Sequence, residues 1–204
     1  MMRSIPRISI SMLTLAALVL ATEGCGPELF VKHRPAGGVK PRVAVLRFQD
    51  APGQPGSGSV ATEVFSAQLL SVDAYDVIDR GAIDKVIEEQ KLGASGLIRP
   101  GEAAELGKLV GADAVILGSV TEYRPRRLLM FPPAKVALAV RAIDTRTGQV
   151  DWSAQQRVGG PGRWLTWVIP VIGAVATAFS PSAEDLLAAA SRRICRSLRK
   201  NLAP

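Results

Sequence analysis

Residues 79–123 read DRGAIDKVIEEQKLGASGLIRPGEAAELGKLVGADAVILGSVTEY, and the fold turns on this stretch. Ile83, Val86 and Ile87 fall at i, i+3 and i+4, while Asp84, Lys85, Glu88 and Glu89 take the opposite side, the pattern of a short amphipathic helix. Gly93 and Gly96 break that pattern. A second helix is predicted from Pro100, whose missing N–H costs nothing at a first helical position, to a stop at Gly111. Its Ala103, Leu106, Leu109 and Val110 keep helical spacing. Ala114, Val115, Ile116 and Leu117 are apolar on both faces and predict an interior strand. Helix, turn, helix and buried strand form the middle of an α/β domain.

Composition bounds what that domain can do. The chain has 204 residues, is 48% hydrophobic and carries a formal charge of +7, enough for one domain with a substantial core. Its single histidine, His33, lies in a Pro/Gly-rich stretch, and its two cysteines are Cys25 and Cys195. A histidine-based catalytic centre would have to use His33, and a zinc site would lack most of its usual ligands. No catalytic residue, metal or cofactor is expected.

The chain starts with an export pattern over residues 1–24. Arg3 and Arg7 give a positive n-region and residues 8–21 an apolar h-region. It runs into Thr22-Glu23-Gly24-Cys25, which resembles a bacterial lipobox. The resemblance implies that Cys25 is acylated and becomes the first mature residue. Gly26, where an Asp would signal inner-membrane retention, points to the outer membrane, periplasmic face. With Cys25 acylated, Cys195 has no partner for an intramolecular disulfide and is expected to pack beside Ile194 and Leu198.

Residues 25–41 read as a lipidated tether and 42–204 as the domain. A strand is predicted over 42–48, a loop over 49–59, a helix over 60–70 and a short strand over 75–78. After Tyr123 the stretch 124–133, ending in Pro132-Pro133, interrupts the sheet, which resumes over 135–143. Residues 144–148 make a hairpin loop, followed over 150–158 by a strand with one wet face. The last helix is predicted over 181–202, capped by Ser180, with Leu187, Ala190, Ile194, Leu198 and Leu202 as its apolar stripe. Arg192, Arg193, Arg196, Arg199 and Lys200 crowd its C-terminal half without interleaved aromatics, so nucleic acid is not expected as a partner.

Residues 164–179 form an apolar insertion without a charge. As a helix it would reach about 24 Å, short of the ~30 Å hydrocarbon core, and Pro170 and Gly173 oppose a continuous helix. Trp164, Trp167, Ile169 and Phe179 are the candidates for membrane contact at an interfacial depth, with packing on the domain or on a neighbouring subunit as the alternative. A different possibility sits after the first strand of the domain. Gly56-x-Gly58-x-x-Ala61, with Asp79 further on, matches a loose dinucleotide pattern. Residues 49–55 separate it from the strand, and no Lys-Ser/Thr pair follows, which argues for a connecting loop.

The predicted order is β-α-β-α-α-β-β-β-α, a single α/β domain with a mixed sheet flanked by helices. Arg42 to Phe48, then Asp79-Arg80-x-x-Ile83-x-x-Val86-x-x-Glu89-Gln90-x-Leu92, resembles the CsgG family of outer-membrane lipoproteins. So do Ala104-x-Leu106-Gly107-Lys108-x-x-Gly111-Ala112-Asp113-Ala114-Val115-Ile116-x-Gly118-Ser119-Val120 and Asp144-x-Arg146-Thr147-Gly148-x-Val150-x-Trp152. The resemblance implies a periplasmic α/β domain without catalysis, an N-terminal lipid carried by Cys25, envelope protein partners and a possible homo-oligomer. Secretion-channel members insert two long hairpins, one after the third strand and one after the fifth. Here the first site, 124–134, is short and holds two adjacent prolines, and the second, 159–180, lacks polar–apolar alternation. The expected function is therefore non-enzymatic assembly or secretion of surface structures through protein partners. A pore-forming curli-type channel is the alternative, and a nucleotide-binding enzyme a remote one.

Overall fold

The computed structural model describes residues 27–32, 40–90, 98–125, 134–159 and 181–202. The strands are β1 (Glu28–Val31), β2 (Arg42–Val45), β3 (Asp76–Val77), β4 (Ala114–Arg124), β5 (Lys135–Asp144) and β6 (Val150–Gly159). The helices are α1 (Ser57–Val72), α2 (Arg80–Gln90), α3 (Pro100–Leu109) and α4 (Ala183–Leu202). One mixed sheet has the order β1-β6-β5-β4-β2-β3. β2 runs parallel to β3 and β4, and the rest of the sheet is antiparallel. The chain moves outward from β2 to β3 and then back past β2 to β4. With one crossover hand, those opposite steps carry α1 to one face and α2 with α3 to the other.

The fold class agrees with the sequence reading, and one element is new. β1 lies within the stretch read as a tether and pairs antiparallel with β6, Leu29 opposite Ala154 and Val31 opposite Trp152. Leu29 and Val31 pack on the core while Glu28 and Phe30 face out, a period-2 alternation. Boundaries also move: β2 ends at Val45, three residues before the predicted end. α1 begins at Ser57, three residues before the predicted start. The cap of α4 is Ser182, whose Oγ accepts from the Asp185 amide at 3.1 Å while Asp185 Oδ2 accepts from the Ser182 amide at 2.9 Å. This reciprocal arrangement leaves Ser180, outside the described residues, no capping role to fill.

Two cores share the sheet. α1 and α4 cover one face with Val45, Phe48, Phe65, Leu69, Ile116, Leu138, Val140, Trp152, Leu187 and Ile194. On the other face α2 and α3 cover Ala44, Leu46, Val115, Leu117 and Ile143. Of the predicted apolar stripe of α4, Leu187, Ala190, Ile194 and Leu198 are fully buried, and the side chain of Leu202 lies outside what is described. Cys195 is buried beside them, and desolvation pushes its thiol up to about 12, so it packs as an inert small hydrophobe. The Trp152 indole donates to the Tyr75 hydroxyl at 3.0 Å, which satisfies a buried polar group, and burial raises the Tyr75 phenol further.

Phe48 ties the sheet to α1. Its amide donates to Thr62 Oγ1 at 2.8 Å, and its ring lies 5.4 Å from that of Phe65. A Cβ on Gly58 would fall 2.0 Å from the Phe48 carbonyl oxygen, and one on Gly118 would fall 2.6 Å from the Phe48 ring. Both positions therefore admit only glycine at the present spacing.

Two substitutions test this packing. Ile116 is fully buried in the central strand, so Ile116→Ala is expected to cost about 2–5 kcal/mol of stability in denaturant melts. Gly118→Ala drives a methyl into the Phe48 ring and is expected to cost about 1–3 kcal/mol. A midpoint unchanged by either variant would contradict the described seat of that side chain.

Candidate functional site: one end of the sheet and two surfaces

β4, β5 and β6 have 11, 10 and 10 residues against the 4 of β2 and extend as a three-stranded antiparallel arm. At its tip Arg124 stands opposite Lys135, and Lys135 opposite Gly159. The connection between β4 and β5 and the one after β6 therefore leave from the same end. β1 is antiparallel to β6, with Glu28 opposite Gln155, so the chain preceding Pro27 points to that end too. α4 also starts there: the Glu184 charge, after desolvation, helps raise the phenol of Tyr123, which stands opposite Val136. Glu122 ties the arm together by ion pairs with Arg124 at 3.1 Å and Arg157 at 3.6 Å.

The candidate residues of the sequence reading, Cys25, Trp164, Trp167, Ile169 and Phe179, lie outside the described residues. Their points of attachment do not. Cys25 precedes Glu28 by three residues, a reach of about 10 Å, and the apolar stretch hangs between Gly159 and Pro181. No helix among the described residues is long and apolar enough to cross a membrane.

The loop that resembled a dinucleotide fingerprint is closed by its own side chains. The Gly58 amide donates to Asp50 Oδ1 at 2.6 Å, and the Ala51 amide donates to Ser57 Oγ at 2.9 Å. The Gly58 contact, followed by that of Gly56 and the charge of Arg47, holds the Asp50 carboxyl below its usual range. A carboxylate thus occupies the start of α1, where a phosphate would have to sit. Asp79 accepts from the Gly81 amide at 2.8 Å as the cap of α2 and is not free to hold a ribose. Gly58 is explained by its contact with Phe48. Among the described residues no group of His, Cys, Asp and Glu could hold a metal ion.

On the second face the helices stop short, and the outer strands are bare. A groove of about 1000 Å³ runs there along β5, β6 and β1, walled by Arg80, Asp84 and Ile87 of α2. Arg141, Ser153, Gln155 and Phe30 line its floor and edge. Phe30 is 69% exposed. The groove brings together arginines, carboxylates, amides and the exposed ring of Phe30, the makings of a protein contact, and its described residues form no paired nucleophile and base. Its polar floor was legible in the wet face of β6, whereas Phe30 was hidden in the supposed tether.

Comparison with known proteins agrees with this architecture. Residues 29–126 match the family model described as curli production assembly/transport component CsgG. The PelC dodecamer from Paraburkholderia phytofirmans is similar over 82% of this chain and 96% of its own, at 21% identity and TM-score 0.50. Lipoprotein GNA1162 from Neisseria meningitidis is similar over 67% of this chain and 98% of its own, at 23% identity and TM-score 0.46. For the LpoB C-terminal domain from Salmonella enterica the shares are 71% and 91%, at 14% identity and TM-score 0.45. No curated protein sequence matches the chain. At such identities the structural likeness is one of fold, and over residues 29–126 the α/β domain of this chain is similar to the CsgG family.

Proposed function

We propose that this chain is a non-enzymatic lipoprotein of the bacterial outer membrane, held at the periplasmic face by an acyl group on Cys25. Its CsgG-family domain acts through protein partners, and through copies of itself, in assembling or secreting surface structures. The observation that carries this reading is the convergence at one end of the sheet. There the strand that follows Cys25, the 125–134 connection and the apolar 160–182 connection all attach. An anchor three residues from a paired strand holds that end against the bilayer, which brings the tryptophan-bearing stretch to interfacial depth. The closed start of α1 supports the absence of nucleotide chemistry. The short, proline-bearing 125–134 connection supports a domain without a full pair of channel hairpins.

Cys25→Ser is expected to abolish incorporation of a fatty-acid analogue in metabolic labelling and to release the protein from the membrane fraction. Persistent labelling of the variant would remove the lipoprotein reading.

In that Cys25→Ser background, serine at Val168, Ile169, Val171 and Ile172 is expected to weaken liposome binding while leaving the melting temperature unchanged. A fall in melting temperature without any liposome binding by the parent would instead assign the stretch to the core or to a subunit interface.

A further inference from the structure

Arg192, Arg193, Arg196, Arg199 and Lys200 are all exposed on α4. At roughly 100° per residue they fall within an arc of about 120°, opposite the buried stripe of Leu187, Ala190, Ile194 and Leu198. That stripe is fixed against α1 and the sheet, so the five cations project outward from a rigid support. Among the described residues none of the five forms an ion pair; Arg192 donates to Gln68 Oε1 at 3.4 Å and the other four have no side-chain partner. No acidic side chain follows Asp185 within α4. The helix dipole rationalises Arg199 and Lys200, which lie in the last turn. It does not rationalise Arg192, Arg193 and Arg196, one to two turns earlier.

We infer that this face of α4 binds a polyanionic glycan bearing repeated carboxylates. Four of the five cations are arginines, whose planar forks pair with carboxylates in bidentate fashion. From Arg192 to Lys200 the row spans about 12 Å, long enough to engage several charges of one extended chain. Two other polyanions fit less well. Among the described residues the exposed large hydrophobics, Phe30, Leu70, Leu109 and Val150, lie off this helix, and none of them gives the face a stacking platform for bases or an apolar anchor for a folded partner. The bilayer lies in the wrong direction. α4 starts at the end of the sheet to which the N-terminal strand leads, and Arg196 lies about 20 Å further along its axis. Only this last argument rests on the proposed anchoring; the charge and geometry of the stripe do not.

The test uses the full chain carrying Cys25→Ser, without acyl group or detergent, and three probes: polygalacturonate, phosphatidylglycerol-containing vesicles and duplex DNA. Arg193, Arg196, Arg199 and Lys200 are all changed to Gln in one variant. A control of equal charge changes Lys85, Lys108, Lys135 and Arg146, all exposed and off the stripe, to Gln. The parent and control are expected to bind polygalacturonate with strong salt dependence, and the stripe variant about tenfold or more weakly. Three results would overturn the inference: no glycan binding by the parent, equal weakening in both variants, or a larger loss of vesicle or DNA binding than of glycan binding in the stripe variant. Circular dichroism of each variant confirms that the fold is kept. Loss of Cys25 acylation leaves these outcomes unchanged, so failure here is separable from failure of the lipoprotein reading.

Discussion

Phe48 sets the spacing on which the rest of the domain depends. Its ring rests on the backbone of Gly118 in β4, its carbonyl on Gly58 at the start of α1, and its amide on the hydroxyl of Thr62. One residue thus fixes the separation of sheet and helix and, through Gly118, the alignment of the chain after β2 against β4. The backbone pairing there continues to Gln49, whose amide donates to the Gly118 carbonyl at 2.9 Å. Close packing on glycine leaves no slack, because an added methyl has nowhere to go. The same contact explains a glycine pattern that resembles a phosphate loop. Gly58 is required by packing, and Asp50 closes the helix start that packing leaves open.

The sheet is covered unequally, and this gives the domain its surfaces. α1 and α4 bury one face from β1 to β2, while α2 and α3 bury only the part of the other face over β2, β4 and the start of the β5–β6 hairpin. What remains bare is a shelf with alanine, serine and glutamine on its floor and Phe30 at its edge. The cationic face of α4 lies on the opposite side of the sheet. Contacts with a protein in the groove and with a polyanion on α4 therefore do not compete for the same surface.

The central elements were legible because their signals are dense. Ala114 to Leu117 is apolar on both faces, and only a strand covered on both sides accommodates that. The stripe of α4 and the wet face of β6 follow from period alone. β1 was missed for a physical reason: four residues give two repeats of an alternation, and the surrounding prolines and glycines outweigh them. What makes it a strand is the free edge of β6, a partner more than 100 residues away. The start of α1 was misplaced because Gly56, Ser57 and Gly58 look like loop residues until Asp50 folds back to cap them. At the tip of the three-stranded arm the sequence shows which residues are apolar, and the strand register shows where the chain bearing them attaches.

The antiparallel register of β1 and β6 also decides how the domain carries a mechanical load. A pull on the chain ahead of Pro27 acts along the axis of β1, toward the tip of the arm and beyond it. It therefore stresses the pairs from Glu28–Gln155 to Val31–Trp152, and the Lys32 amide to Asp151 carbonyl bond beyond them, in shear and at the same moment. A strand drawn out sideways would instead lose its hydrogen bonds one by one, each at its small individual cost. Leu29 and Val31, packed on the core, must also leave their seats before the strand can slide. Drag on whatever this domain holds is thus shared across the whole β1–β6 ladder.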